Sequence, residues 1–179
     1  MFKIAKVLFG KLGGTASSEK IWAGQFRDIE KLVRKKDFGN LESRLEKAVS
    51  WIESRPPGEI LPEWLNQAGL IFQAYTGNFD RAEECFNKAK VHSDKQANIR
   101  EKALAMTNLG VLYLDQNRSA EAVEIFTALK PLIADHFGLE SRETATVCQN
   151  LAAAYRLDGN EESAKQERIT ATGILRKIS

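Results

Sequence analysis

The chain has 179 residues, of which 43% are hydrophobic, so it is long and apolar enough for one domain with a continuous core. Lysine and arginine total 26 and aspartate and glutamate 24, which gives a net charge of +2 with both signs interspersed. This balance argues against nucleic acid as a partner, because a nucleic-acid-binding face concentrates positive charge.

The residue usage favours helices over strands. Leucine, alanine, glutamate and lysine are abundant, and only four prolines are present. No run of about 18 apolar residues exists, so no membrane-spanning helix is predicted. The two cysteines, Cys85 and Cys148, show no disulfide or metal-binding spacing, and free thiols are typical of a reducing compartment. We therefore predict a cytoplasmic protein.

Residues 1–16 form a basic amphipathic segment. In a helical projection of residues 1–14, Lys3, Lys6 and Lys11 fall within one arc and the apolar side chains occupy the other. One hypothesis is weak, reversible contact with an anionic membrane surface, which would place the protein at the membrane periphery. The alternatives are a cap that packs on the first repeat and a segment without structure.

Residues 17–60 predict a helical hairpin. Ser17 or Ser18 is the candidate N-cap of its first helix, which carries apolar residues at helical spacing over 19–36. A breaker follows at 36–40. The second helix stops at 55–58, because its two prolines remove backbone donors and clash with the preceding turn.

Residues 61–93 predict a second hairpin. Pro62 suits a first helical turn, and the turn at 76–79 contains Gly77, for which we predict a positive φ angle. The second helix of this hairpin is predicted to turn small and aromatic residues inward. These are Ala82, Phe86 and Ala89.

Two more hairpins are predicted over 94–137 and 138–179. Asp94 is the candidate N-cap of the third, and Pro131 predicts a kink or break near Lys130 in its second helix. Ser141 is the candidate N-cap of the fourth hairpin. Gly173 is expected to interrupt the last helix, with Leu175 and Ile178 packed against the third hairpin as a cap.

Residue pairs 42 positions apart mark two copies of one unit. They are Asn108 and Asn150, Tyr113 and Tyr155, and Ala122 and Ala164. One such unit cannot bury its apolar face alone, so copies are expected to stack. With the run Gly-Leu-Glu-Ser-Arg-Glu-Thr-Ala-Thr-Val-Cys-Gln-Asn-Leu-Ala at 138–152, the sequence resembles tetratricopeptide repeats of the longer-period kind seen in kinesin light chains.

The resemblance implies an all-α solenoid of about four antiparallel helix hairpins in a right-handed superhelix. It covers 61–170 closely and 17–60 loosely, so we predict a degenerate first repeat at 17–60 and repeats at 61–93, 94–137 and 138–179, the last including a C-terminal cap. The interval from Gly69 to Gly77 is one residue longer than the seven typical of the family, which leaves two registers open for the helix of 61–76.

Successive first helices line the inner wall of a solenoid, and their inward-facing residues are the candidate peptide-binding set. The four rows are Gln67, Asn108 and Asn150; Asn66, Thr107 and Gln149; Leu70, Val111 and Ala153; and Gln73, Leu114 and Arg156. Amides both donate and accept hydrogen bonds, so they can pair with the backbone of an extended peptide of any sequence. Kinesin light chains and similar repeat proteins hold peptides with asparagines at this position, and the resemblance carries that role to Asn108 and Asn150. The alternative is that these amides are solvated or link neighbouring helices.

In the first repeat the same projection places Arg27, Glu30 and Arg34 on the inner wall. Two arginines seven residues apart on one helix face can clamp an acidic group by bidentate pairing. The alternative is a solvated charged stripe with a local pattern of Arg27 and Lys31 or of Glu30 and Arg34.

The sequence contains no motif for a nucleophile with its base, for a phosphate-binding loop or for a metal site. We predict no enzymatic activity and no cofactor. The leading functional prediction is an adaptor that holds an extended segment of another protein in its concave groove. The alternative is a structural subunit that packs into a larger assembly through its outer face or its caps. The sequence leaves the oligomeric state open.

Overall fold

The computed structural model describes residues 16–54 and 61–178. The basic segment predicted at 1–14 and the proline stop predicted at 55–58 lie outside these residues. The described residues form eight helices and no strand, which confirms the predicted all-α fold. The helices are α1 Ala16–Lys35, α2 Phe38–Glu53, α3 Leu61–Ile71, α4 Phe79–Lys95, α5 Ile99–Asp115, α6 Ser119–Phe137, α7 Arg142–Leu157 and α8 Glu161–Ile178.

The helices belong to two compact units, of which the first ends at Cys85 and the second begins at Phe86. In the first unit α1 packs against α2, and α2 packs against α3. In the second unit α5 packs against α6, α6 against α7, and α7 against α8, while α5 also contacts α7. Each unit therefore buries apolar helix faces between consecutive helices, as expected for stacked hairpins.

The core of the second unit is built around α6. Phe126 is completely buried there, in a core cluster that also contains Met106 of α5 and Leu151 of α7. Gly110 of α5 faces this ring: a Cβ atom at Gly110 would lie only 2.4 Å from Cζ of Phe126. The absence of a side chain at this position lets α5 and α6 approach closely. Ala82, Phe86 and Ala89, which were predicted to face inward from α4, are all buried, and so are the repeat-spaced Ala122 and Ala164 of α6 and α8.

The turns inside the four hairpins share one backbone design. Each has a residue with positive φ, and these residues are Lys36 (56°), Gly77 (68°), Asn117 (58°) and Gly159 (79°), at steps of 41, 40 and 42 residues. The positive φ predicted for Gly77 is confirmed. In three of the turns the next residue caps the following helix: Asp37, Asn78 and Asn160 each accept a bond from the amide three positions later, at 3.3, 3.1 and 3.1 Å.

A π-helical turn at Phe72–Thr76 follows α3. It accounts for the one-residue excess between Gly69 and Gly77, since a π-turn closes a wider ring and so holds an additional residue. The extra residue enters after Ile71, so the preceding part of α3 keeps the same register as α5. Consistent with that register, Gln67 and Asn108 are both 9% exposed.

The N-cap predicted at Asp94 is wrong. Asp94 lies in the last turn of α4, and the N-cap of α5 is Asn98, whose side chain accepts a hydrogen bond from the Glu101 amide at 3.2 Å. Asp94 instead pairs with Lys102 at 2.5 Å. The N-cap predicted at Ser141 is confirmed, because its hydroxyl accepts from the Thr144 amide at 3.0 Å.

Of the kink or break predicted near Lys130, the break is absent, because α6 runs through Pro131 to Phe137, and a kink stays a prediction. Proline deprives the carbonyl four residues earlier of its donor. Thr127 is that residue. Both Thr127 and Pro131 are exposed, so the missing hydrogen bond lies on the solvent side of α6 and the helix continues past it.

The interruption expected at Gly173 is absent as well, because α8 is continuous to Ile178. The buried residues near its end are Ala171 and Ile174, whereas Leu175 is exposed. Leu175 lies about 100° around the helix from Ile174, which turns it away from α7.

We predict that Gly110→Ala lowers the free energy of unfolding by about 1–3 kcal/mol, because the new methyl overlaps the Phe126 ring in a packed core. In the same unit, Gly173→Ala is the control: nothing lies within 4 Å of its Cβ position, so helix propensity should raise stability by about 0.5–1 kcal/mol. Urea unfolding at low protein concentration measures both. Adding Phe126→Leu should remove most of the Gly110→Ala penalty, and additivity of the two changes would contradict the proposed overlap.

A second prediction concerns the αL residues that are not glycine. Ala97 (φ 53°) ends α4, with its amide bonded to the Asp94 carbonyl at 3.2 Å. An alanine in this region is strained, so Ala97→Gly should raise stability by about 0.5–1 kcal/mol despite the added freedom of the unfolded chain. Asn117→Gly should gain less, because asparagine tolerates the region better. A lower unfolding midpoint for Ala97→Gly would contradict this account.

Candidate functional site

Eight of the predicted peptide-binding residues lie on two helices that contact each other, α5 and α7 of the second unit. They form four pairs at a spacing of 42, and we call them the α5–α7 face. Its members are Thr107, Asn108, Val111 and Leu114 of α5 with Gln149, Asn150, Ala153 and Arg156 of α7. The repeat that aligns the two helices also brings the same residue type, asparagine, to the equivalent positions 108 and 150.

The α7 half of this face is the more accessible. Gln149 and Arg156 are exposed and Asn150 is half-buried. On α5, Asn108 is buried and already interacts within the chain, while Val111 and Leu114 pack partly against the core of the second unit. The polar groups that a ligand could reach most directly are therefore those of α7.

Sequence reasoning missed two further pairs on these helices. Leu104 of α5 is 41% exposed and lies one turn before Thr107 and Asn108, and Thr146 is its counterpart 42 residues later. The second pair is Asp115 and Leu157, where Leu157 is exposed. The spacing of three, four and seven residues from Leu104 to the predicted residues of α5 was a signal that could have found it.

The candidates of the first unit lie on α3 and on the π-helical turn that follows it. Asn66 is only 1% exposed, so its side chain belongs to the interior of this unit. The Gln67 amide donates to the Glu63 carboxylate at 3.3 Å, and Leu70 and Gln73 are half-buried. A peptide-binding role for these four residues stays a prediction.

Arg27 and Arg34, the predicted acidic clamp, are both exposed on α1. Arg34 pairs with Glu30 at 2.5 Å, which is the local helix pair given above as the alternative. The clamp also stays a prediction.

A charge cluster of the first unit joins α2 to α4. Arg81 binds both carboxylate oxygens of Glu46, at 2.7 and 2.6 Å, and also bonds Glu84. The hydrogen bond to Glu46 raises the pKa of the Arg81 guanidinium above its ordinary value, against the opposing effect of burial. The guanidinium also lies over the Phe72 ring at 5.6 Å. With its charge matched inside the unit, Arg81 stabilises helix packing rather than offering a binding group.

Both thiols are buried. Burial is the main cause that raises the pKa of Cys148 to about 11, with a further contribution from Glu167 and an opposing one from the positive charge of Lys130. A thiol with this pKa stays protonated at neutral pH and is a poor nucleophile.

Within the described ranges, no group of three or more His, Cys, Asp or Glu side chains is placed to hold a metal ion. None of the helices described has both the length and the hydropathy to cross a bilayer.

Comparison with known proteins identifies a tetratricopeptide repeat at residues 103–130, which spans most of α5 and the first part of α6. Similar solved structures include the TPR-like, nearly identical repeats of a kinesin light chain from Podosopora anserina, with a TM-score of 0.76 and 16% sequence identity over 99% of this chain and 85% of that chain. A point-substituted form of those repeats gives 0.75 and 17% over 87% of this chain and 75% of that one.

A further similar structure is BtubC (BKLC) from P. vanneervenii, with a TM-score of 0.55 and 15% identity over 92% of this chain and 93% of that chain. At these identities the likeness shows the fold alone. A search of curated protein sequences finds no match. The chain thus contains a tetratricopeptide repeat and has the fold of kinesin-light-chain-like TPR proteins, as predicted, and the repeat supports a general role in protein–protein interaction.

The Cys148 thiol predicts a specific pH dependence of stability. Its folded pKa of about 11 lies above that of an unfolded cysteine, near 8.5. Between these values the unfolded chain loses a proton that the folded chain keeps, so the stabilisation is complete below about pH 8.5 and is lost as the pH rises. From pH 7 to pH 10, wild type should lose about 1–2 kcal/mol more than Cys148→Ala. Urea unfolding of both chains at each pH tests this, and equal losses would contradict it.

Proposed function

We propose that this chain is a non-enzymatic, cytoplasmic adaptor that binds an extended peptide segment of a partner protein along the α5–α7 face. The observation that carries the proposal is the pairing of Asn108 with Asn150 at equivalent positions of two contacting helices inside a tetratricopeptide-repeat fold. A surface that repeats the same amide at a fixed spacing suits a ligand whose hydrogen-bonding groups also repeat. A peptide backbone is such a ligand, because its N–H and C=O groups recur along the chain.

The polar part of binding would come from amide side chains. Asn150 and Gln149 each offer a carbonyl oxygen and an NH₂ group, so each can bond a backbone N–H and a backbone C=O of an extended chain. Because these bonds address only the backbone, they supply affinity for many sequences. Asn108, which is nearly buried, would contribute by holding the α5 side of the face in position.

Selectivity would come from the exposed apolar residues. Leu104 and Leu157 lie on the same two helices as the amides and are large enough to cover apolar side chains of a ligand. Full burial of one such side chain contributes about 1.5–3 kcal/mol, more than a typical net hydrogen bond. We therefore expect preferred ligands to carry apolar residues next to a stretch of backbone whose N–H and C=O groups are available for hydrogen bonds.

We predict that Asn150→Ala weakens peptide binding about thirtyfold, since a net hydrogen bond contributes about 1 kcal/mol and this residue offers two. Ligands are first selected from a random linear peptide library on the wild-type chain. The dissociation constant of one selected peptide is then measured by fluorescence anisotropy for wild type, Asn150→Ala and Leu104→Ala.

Gln166→Ala is the matched control, because it removes an exposed amide from α8, outside the α5–α7 face. Circular dichroism establishes that all chains are equally helical. Loss of affinity in Asn150→Ala and Leu104→Ala, with no change in Gln166→Ala, supports the proposal. Selected peptides that bind all four chains equally would locate the binding surface elsewhere.

A further inference from the structure

The last described helix, α8, has two chemically different sides. Ala164, Ala171 and Ile174 are buried on the side that packs against α7. The opposite side is exposed, and at its centre lies Ile169, whose side chain is 56% exposed. Among the described residues, Ile169 is the most exposed large hydrophobic side chain that lies within a helix.

Gly173 lies one turn after Ile169 on the same exposed side. Nothing lies within 4 Å of where its Cβ would be, so no contact within this chain requires a glycine there. Glycine lowers the stability of a helix interior relative to alanine. A glycine beside an exposed isoleucine forms a shallow depression next to a projection, and such a surface can accept a second helix at close range.

Two opposite charges on this side lie at equal distances from Ile169. Glu162 lies seven residues before it and Arg176 seven residues after it, so all three share one helix face. When two copies of this helix pair antiparallel about a two-fold axis at Ile169, Glu162 of each copy meets Arg176 of the other. The same register places the aliphatic stem of Lys165 over Gly173.

We propose that α8 is a self-association surface, on which a second copy of this chain packs its own α8 in antiparallel orientation with the two-fold axis at Ile169. This goes beyond peptide binding by the α5–α7 face and uses none of its residues. The contact is isologous, so every favourable pair occurs twice. The pair with Glu162 of the second copy requires only that Arg176 carries its charge at this position. Arg176 can at the same time interact within its own chain.

A single pair of helices of 18 residues is about 27 Å long and buries less surface than a standard protein interface. We therefore expect a reversible dimer with a dissociation constant on the order of 100 µM, formed at high concentration. Burial of the two Ile169 side chains against each other supplies the apolar centre, and the two ion pairs fix orientation and register.

The test is sedimentation equilibrium of the full 179-residue chain over a concentration range that brackets the expected dissociation constant. Ile169→Glu should weaken dimerisation at least tenfold, because it places two carboxylates at the axis. Val91→Glu is the matched control: Val91 is 46% exposed in the same compact unit but lies on α4, and its change should leave the dimer unaltered. A chain that stays monomeric throughout, or a dimer that Ile169→Glu leaves intact, would overturn the proposal.

Charge exchange tests the register independently. Glu162→Arg places two positive charges opposite each other at both ends of the pair and should weaken the dimer about tenfold, and Arg176→Glu should do the same with negative charges. The double variant restores opposite charges and should recover most of the affinity. If the double variant is as weak as the single variants, the antiparallel register is incorrect. Helicity measured by circular dichroism must match wild type in every case.

Discussion

The close contact between Gly110 and Phe126 is the constraint on which the second unit depends. With no Cβ at Gly110, the ring of Phe126 reaches the backbone of α5, and this fixes how near α5 and α6 lie. The ring belongs to a core cluster that also contains buried residues of α5 and α7, so three helices share this core. The spacing between α5 and α7, and hence the pairing of their exposed residues at intervals of 42, follows from this packing rather than from contacts on the exposed face itself.

Polar links at repeat-like spacing reinforce the apolar packing within each unit. In the first, Glu42 and Glu46 of α2 bond Asn78 and Arg81 at the start of α4, at 2.6–2.7 Å. In the second, the Lys130 ammonium of α6 bonds both carboxylate oxygens of Glu167 on α8 at 2.7 and 2.8 Å. Each link joins second helices of neighbouring hairpins. The charged side chains of these links are partly buried, so their ion pairs contribute more to stability than fully exposed pairs do.

Sequence patterns predicted the parts of this fold that depend on local chemistry. The residue pairs 42 positions apart predicted the hairpins. The positive φ predicted for Gly77 and the N-cap predicted at Ser141 are confirmed, because turn geometry and capping involve only neighbours in sequence. The helix breaks predicted at Pro131 and Gly173 are absent, because a helix supported by packing along its length continues through residues that would end an isolated one. The sequence also indicated which residues share a face, but not their burial. Asn66 lies inside its unit and Leu104 is exposed because neighbouring helices decide how much of each is covered.

The two proposed surfaces divide the second unit by helix type. Peptide binding uses the first helices of its hairpins, α5 and α7, and self-association uses the second helix, α8. No residue is required by both, so one does not compete directly with the other. A dimer would present two α5–α7 faces, and a partner with two suitable segments could engage both at once. Such bivalency can raise the apparent affinity by about 10²–10⁴ when the linker between segments spans the two faces. A weak contact at Ile169 would then convert modest peptide affinity into concentration-dependent assembly.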